Sequence, residues 1–138
     1  MKNQYREGTP TGRGFAKCPT TIKAGDPVLL GEASDLRALP AVALNDYDAN
    51  TGGTVFVWNG GFLLSVIAVS QISPAVGEAI NPGDPLFAVG TFDATTNMTY
   101  NLTISATDGD QPFGRLDPSG TTIASTVTDS AAMVLLEG

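Results

Sequence analysis

Glycine and proline interrupt this chain from end to end: sixteen glycines and nine prolines are spread through 138 residues. Proline fixes φ and lacks an N–H, while glycine admits turn conformations closed to other residues, so each tends to end or bend a regular element. Such punctuation favours many short strands over a few long helices. The residues in between point the same way. Threonine, valine and isoleucine number 32, against 14 for lysine, glutamate, glutamine and arginine. Branched side chains fit a pleated surface, and long straight polar ones decorate helices. A mass of 14.2 kDa suits one domain with its own core. With 42% apolar and 15% charged residues, the chain is too apolar and too weakly charged for disorder. The expected fold class is all-β, a small barrel or sandwich.

Strands are expected at Gly14–Cys18, Pro27–Gly31, Pro40–Asn45, Thr54–Trp58, Phe62–Val69, Pro85–Val89, Met98–Ser105, Thr122–Thr128 and Ala132–Glu137, with a short helical turn near Pro74–Ala79. Asn59-Gly60 between Thr54–Trp58 and Gly61–Leu64 predicts a hairpin closed by a type I′ turn. Both flanks are apolar on both faces, which places that hairpin in the middle of the fold. An internal echo is also present. Ile22-Lys23-Ala24-Gly25-Asp26-Pro27-Val28-Leu29 parallels Ile80-Asn81-Pro82-Gly83-Asp84-Pro85-Leu86-Phe87. Proline-led pieces follow each copy, Pro40–Asp46 and Pro112–Asp117, and Thr91–Asp110 is an insertion in the second. The echo predicts two related halves.

The chain contains no histidine and one cysteine, Cys18. Histidine triads, histidine–metal sites, an internal disulfide and cysteine-rich zinc sites are therefore excluded. Single-cysteine usage fits a reducing compartment, with Cys18 an ordinary small residue. The longest apolar run, Phe62–Val69, is far below the roughly 20 residues of a spanning helix, and the first eight residues show no apolar secretory segment. Asp26 and Asp84 offer a carboxylate pair of the kind a glycosidase uses, but Gly-Asp-Pro turns explain both residues without catalysis. Asp46, Asp48 and Asn50 match the first three ligand positions of a calcium loop. Gly52 arrives one residue late and Val57 stands where a glutamate is required, so an EF-hand is excluded and an acidic loop is expected. Asn97 and Asn101 begin sequons that read as strand residues. No cofactor is implied and no nucleophile–base pair assembles, so the chain does not read as an enzyme.

Charge is unevenly placed. Lys2, Arg6, Arg13, Lys17 and Lys23 against Glu7 give residues 1–23 a net charge of +4, within a total of −7. The acidic remainder would repel phosphate, so nucleic acid is not expected as a partner. The basic head suits an arm, residues 1–17, that seeks an acidic surface, with residues 18–138 as the single β-rich body.

Several segments, in order, resemble one family. They are Met1-Lys2-Asn3 with Tyr5, Glu7 and Gly8; Ala24-Gly25-Asp26-Pro27-Val28-Leu29-Leu30-Gly31; Ala41-Val42-Ala43-Leu44 with Asp46; Gly53-Thr54-Val55; and Gly61-Phe62 with Leu64. Gly83-Asp84-Pro85-Leu86-Phe87 and Pro112-Phe113-Gly114-Arg115-Leu116 continue the series. Together they look like the capsid-cement, or head-decoration, proteins of tailed bacteriophages, over nearly the whole chain; Thr91–Asp110 aligns least well. The resemblance implies a β-tulip type domain that trimerises on the outside of an expanded head and ties neighbouring major capsid subunits together, with neither nucleic acid nor membrane as partner. It also implies an N-terminal arm lying on the capsid. The residues expected to touch the capsid are Tyr5, Arg6, Arg13, Phe15 and Lys17. Trp58, Phe62, Phe113 and Arg115 are expected in the core or the trimer seam. The alternative reading is a carbohydrate- or receptor-binding β-module on a virion surface, for which an exposed Trp58 or Tyr100 would be the platform.

Overall fold

The computed structural model describes residues 12–32, 38–67, 79–106, 111–124 and 130–136. Among them lie nine strands and no helix: β1 (Arg13–Lys17), β2 (Pro27–Leu30), β3 (Leu39–Ala43), β4 (Gly53–Val57), β5 (Gly61–Val66), β6 (Pro85–Asp93), β7 (Met98–Ser105), β8 (Gln111–Leu116) and β9 (Ser130–Leu136). All neighbours pair antiparallel, in the order β1-β4-β3-β2-β7-β6-β8-β9-β5. Outward from β7 the order runs β2-β3-β4-β1 on one side and β6-β8-β9-β5 on the other. In each quartet the strand that comes first in the chain returns beside the last, which is a Greek-key order.

The two Gly-Asp-Pro turns carry the same hydrogen bonds. Asp26 Oδ2 accepts from the Lys23 N–H at 2.9 Å, and Asp84 Oδ2 from the Asn81 N–H at 2.8 Å. The Gly25 N–H donates to the Ala43 carbonyl, and Ala43 N–H returns a bond to Asp26; Gly83 and Leu116 do the same with Asp84. Gly25 and Gly83 take φ of +91° and +88°, a region that other residues enter only with strain. The following ladders differ by one residue. Pro27 to Leu30 run in step against Val42 to Leu39, whereas the register between β6 and β8 shifts after Leu86, leaving Phe113 as a bulge. That extra residue turns Phe113 fully into the core.

Two apolar clusters fill the interior. The larger joins Leu64, Val66, Ile80, Leu86, Ala88, Ile104, Phe113, Leu116 and Val134 with Leu29, Ala38 and Val42 from the first quartet. The smaller gathers Cys18, Ile22, Val28, Ala41, Ala43, Phe56 and Met98. Buried Thr99 on β7 donates its Oγ1 hydrogen to the Gly31 carbonyl, just after β2, at 2.8 Å.

Two expectations are corrected. Thr54–Trp58 and Gly61–Leu64 do not form a hairpin: β4 pairs with β1 and β3, and β5 pairs with β9 at the far end of the sheet. A type I′ turn needs positive φ at both central residues, and here only Gly60, at +102°, has it. The Trp58 N–H instead donates to Gly12, and Gly60 accepts from Leu136, so the two residues hand the chain from one quartet to the other. Among the described residues the sheet is not closed, and β1 and β5 are its terminal strands. The run β7-β6-β8-β9-β5 curls until Ile67 meets Ser105 in one parallel bridge, without a continuous ladder. The other correction is that Gln111–Leu116 is a strand not anticipated as one, while the described part of Thr122–Thr128 contributes only the Ile80–Ile123 bridge. The helical turn expected near Pro74–Ala79 falls on 74–78, outside the described residues, apart from Ala79.

Phe56 and Phe113 have no exposed surface, one in each cluster. Phe56→Ala and Phe113→Ala should each cost about 3–5 kcal/mol in urea unfolding, because each leaves a cavity among rigid strands.

Candidate binding surface

The basic segment singled out in the sequence forms one end of the sheet. Arg13, Phe15 and Lys17 alternate outward along β1, opposite Val57, Val55 and Gly53 of β4, while Gly14 and Ala16 turn inward. Phe15 is 53% exposed, unusual for an aromatic ring in a strand. The backbone follows the same alternation. Trp58 N–H donates to Gly12 and Cys18 N–H to Gly52, which fixes the phase of the antiparallel ladder. Gly14 and Ala16 therefore bond to β4. Arg13, Phe15 and Lys17 point their N–H and C=O groups to the open side.

Glycine makes this edge possible. A Cβ at Gly53 would collide with the Ala16 carbonyl oxygen, so β1 crosses β4 closely only because none is there. A Cβ at Gly14 would come within 2.9 Å of the Trp58 ring, which occupies that space. Beside the strand lies a groove of about 690 Å³, lined by Phe15, Val55, Asn45, Asp46, Asp48 and Thr51. Lys17 Nζ reaches the Thr51 carbonyl at 3.4 Å. Phe15 and Lys17 of the strand edge thus stand beside an acidic loop. The arrangement can take an extended segment by backbone pairing, with Phe15 as the apolar contact.

The other sequence candidates disperse. Tyr5 and Arg6 lie outside the described residues. Arg13–Lys17, read as part of the arm, is paired to the body along its whole length. Phe113 is core, Phe62 packs partly buried against the larger cluster, and Trp58 and Tyr100 do so against the smaller one. Trp58, which the carbohydrate reading asked for as an exposed platform, is half-buried. Arg115 is exposed on β8, where its Nη1 donates to the Gly83 carbonyl at 3.0 Å. Asp26 and Asp84 serve their own turns. Asp46 Oδ1 accepts from the Ala24 N–H at 2.8 Å and Asp48 Oδ1 from the Asn50 N–H at 2.9 Å, so one carboxylate ties the acidic loop to the turn before β2 and the other organises the loop itself. No group of three ligating side chains suited to a metal occurs among the described residues. Asn97 and Asn101 both take φ of +54°, at a turn and beside a bulge, positions that asparagine tolerates better than most residues.

One exposed surface went unnoticed in the sequence: Leu63, Met133 and Leu135, at 67%, 40% and 37% exposure, on the outer face of β5 and β9. The placement of Gly61–Val66 inside a central hairpin concealed it. Burial pushes the Cys18 thiol up from its ordinary range, which keeps it protonated and poorly nucleophilic. Comparison with protein-family models, curated proteins and solved structures finds no match to this chain.

Gly53→Ala should lift β1 while the remaining sheet stays folded. Amide exchange at Gly14 and Ala16 should then accelerate well beyond that in β6 and β7, measured residue by residue. Cys18 should resist alkylation at neutral pH until the protein is unfolded. Because its thiol is harder to ionise when folded, its contribution to stability is complete at neutral pH and declines as pH rises above the ordinary thiol range.

Proposed function

We propose that this chain is a structural capsid decoration protein, a cement that binds the outside of an assembled phage head and holds neighbouring major capsid subunits together. The observation that carries the reading is the β1 edge. On a chain of net charge −7, the strand that ends the sheet presents two cations flanking an exposed phenylalanine. Charge on this edge steers approach to an acidic surface, and strand addition supplies backbone hydrogen bonds once contact is made. Tyr5 and Arg6, upstream in the sequence, extend the same contact. The protein works as a homotrimer, so three modest contacts act together through effective concentration. Its place is the outer capsid surface of the virion, after assembly in the host cytoplasm, and its action needs no catalytic step.

The β-tulip type and the two-halved design belong to the same reading. The matching strand orders on either side of β7, and the matched bonds of the Asp26 and Asp84 turns, support a unit used twice, with β7 inserted in the second copy. The bridge between Ile67 and Ser105 supports a barrel-like curl of that copy.

Arg13→Glu with Lys17→Glu should reduce occupancy on expanded empty heads, and more strongly at low salt than at high salt, because exposed charges are screened. Phe15→Ala should reduce it at both. Unchanged copy number for all three substitutions, counted by quantitative gel or cryo-EM, would remove the β1 edge from the contact.

A further inference from the structure

The opposite end of the sheet has a different character. β5 and β9 pair from Gly61–Leu135 to Val66–Ser130, and neither strand contains an ionisable residue or a proline. Their outer face carries Leu63, Met133 and Leu135, all more than one-third exposed. The missing side chain at Gly61 is covered by Leu135 and Met133, whose atoms lie 2.9 and 3.2 Å from where its Cβ would be. The three side chains therefore form a continuous apolar surface. Beside it is a depression of about 180 Å³, lined by Leu63, Met133, Leu116, Ile123 and Thr121. Asp117 lines it too, with its Oδ1 engaged by the N–H and hydroxyl of Ser119.

From this geometry we infer that the outer face of β5 and β9 is the seam on which a second copy of this chain packs. Three features select that occupant. The chain is strongly acidic, so two copies repel each other except through a face without charge. The face joins exposed apolar side chains to an adjoining hollow, so one copy's side chains can seat on the next in a head-to-tail contact of the kind a ring of three closes. The two ends of the sheet also differ in protection. β1 carries Arg13 and Lys17, the kind of charge that blunts an edge strand, whereas β5 has neither charge nor proline. An apolar end left unguarded needs a cover from synthesis onward, and the partner always present in equal amount is another copy. This deepens the homotrimer reading above and rests on it only for the number of copies.

Sedimentation equilibrium of the purified full-length chain, without heads, tests the seam. The wild-type protein should sediment as an oligomer at micromolar concentration. Leu63→Asp and Met133→Asp should each weaken association by about 30-fold or more, as at the centre of an interface. Leu63→Ala should weaken it by a smaller factor. Leu44→Asp, at an exposed leucine outside the face, should leave it unchanged. Circular dichroism of every variant should match the wild type, since all three positions face solvent within one copy. A dimeric mass abolished by Leu63→Asp would uphold the seam and overturn the trimer. A wild-type monomer at all concentrations would overturn the seam, as would Asp variants that assemble normally or a Leu44→Asp that dissociates equally. If the wild type is monomeric and Leu63→Asp loses only head binding, the face belongs to the capsid contact instead.

Discussion

Two carboxylates anchor the pairing on which both quartets are built. An antiparallel pair joined by a long connection has no tight turn to set its register, and both β2–β3 and β6–β8 are of this kind. Asp26 and Asp84 supply the missing constraint. Each folds its own Gly-Asp-Pro segment by accepting a backbone N–H three residues upstream. The glycine before it and its own carbonyl then clamp the far strand at Ala43 or Leu116. With those strands placed, the hydrophobic alternation fixes the rest, because a slip of one residue would expose an entire apolar row. In the second quartet the slip is absorbed at a single bulge, and Phe113 fills the core as a result.

Local chemistry was legible in the sequence, and long-range pairing was not. Seven of the expected strands lie close to the observed β1–β5, β7 and β9, because branched residues bounded by glycine and proline report strand formation directly. β6 was anticipated only as far as Val89, four residues short. The Gly-Asp-Pro turns were read as turns from their own residues, and they are. The Asn59-Gly60 hairpin failed because a dipeptide reports only what its backbone can adopt. Whether it does so depends on where the next strand finds a partner, and β5 finds β9, some seventy residues later. β8 was missed because Pro112 and Gly114 are poor strand formers. They are tolerated beside a bulge, where the ladder is already interrupted.

The binding surface was partly visible for the same reason. Arg13, Phe15 and Lys17 stand at alternate positions, so a strand there must display all three together, and it does. What the sequence could not show was that this strand is terminal. Trp58 and Phe62 were ambiguous between core and surface, since each is large enough to serve either, and both sit half-buried against the clusters. Leu63 lay hidden because an apolar residue in an apolar strand carries no mark of which face it occupies.

An open sheet of nine strands has two ends, and each must be reconciled with water. Closing the sheet would remove both, but the matching order of the two quartets places β1 and β5 at opposite extremes, where they cannot pair with each other along their length. The chain treats them differently. At β1, charge keeps the edge soluble while leaving its backbone available, which suits a contact made late and only with an acidic surface. At β5, apolar side chains carry no such protection, which suits a contact made early and kept. A protein that first assembles with itself and then adds to a preformed shell needs both kinds of edge. Exchanging them would produce self-association through a charged strand and docking through a sticky one. On the proposed reading, the asymmetry between two otherwise equivalent strands is a division of labour, written in Arg13 and Lys17 at one end and in Leu63 at the other.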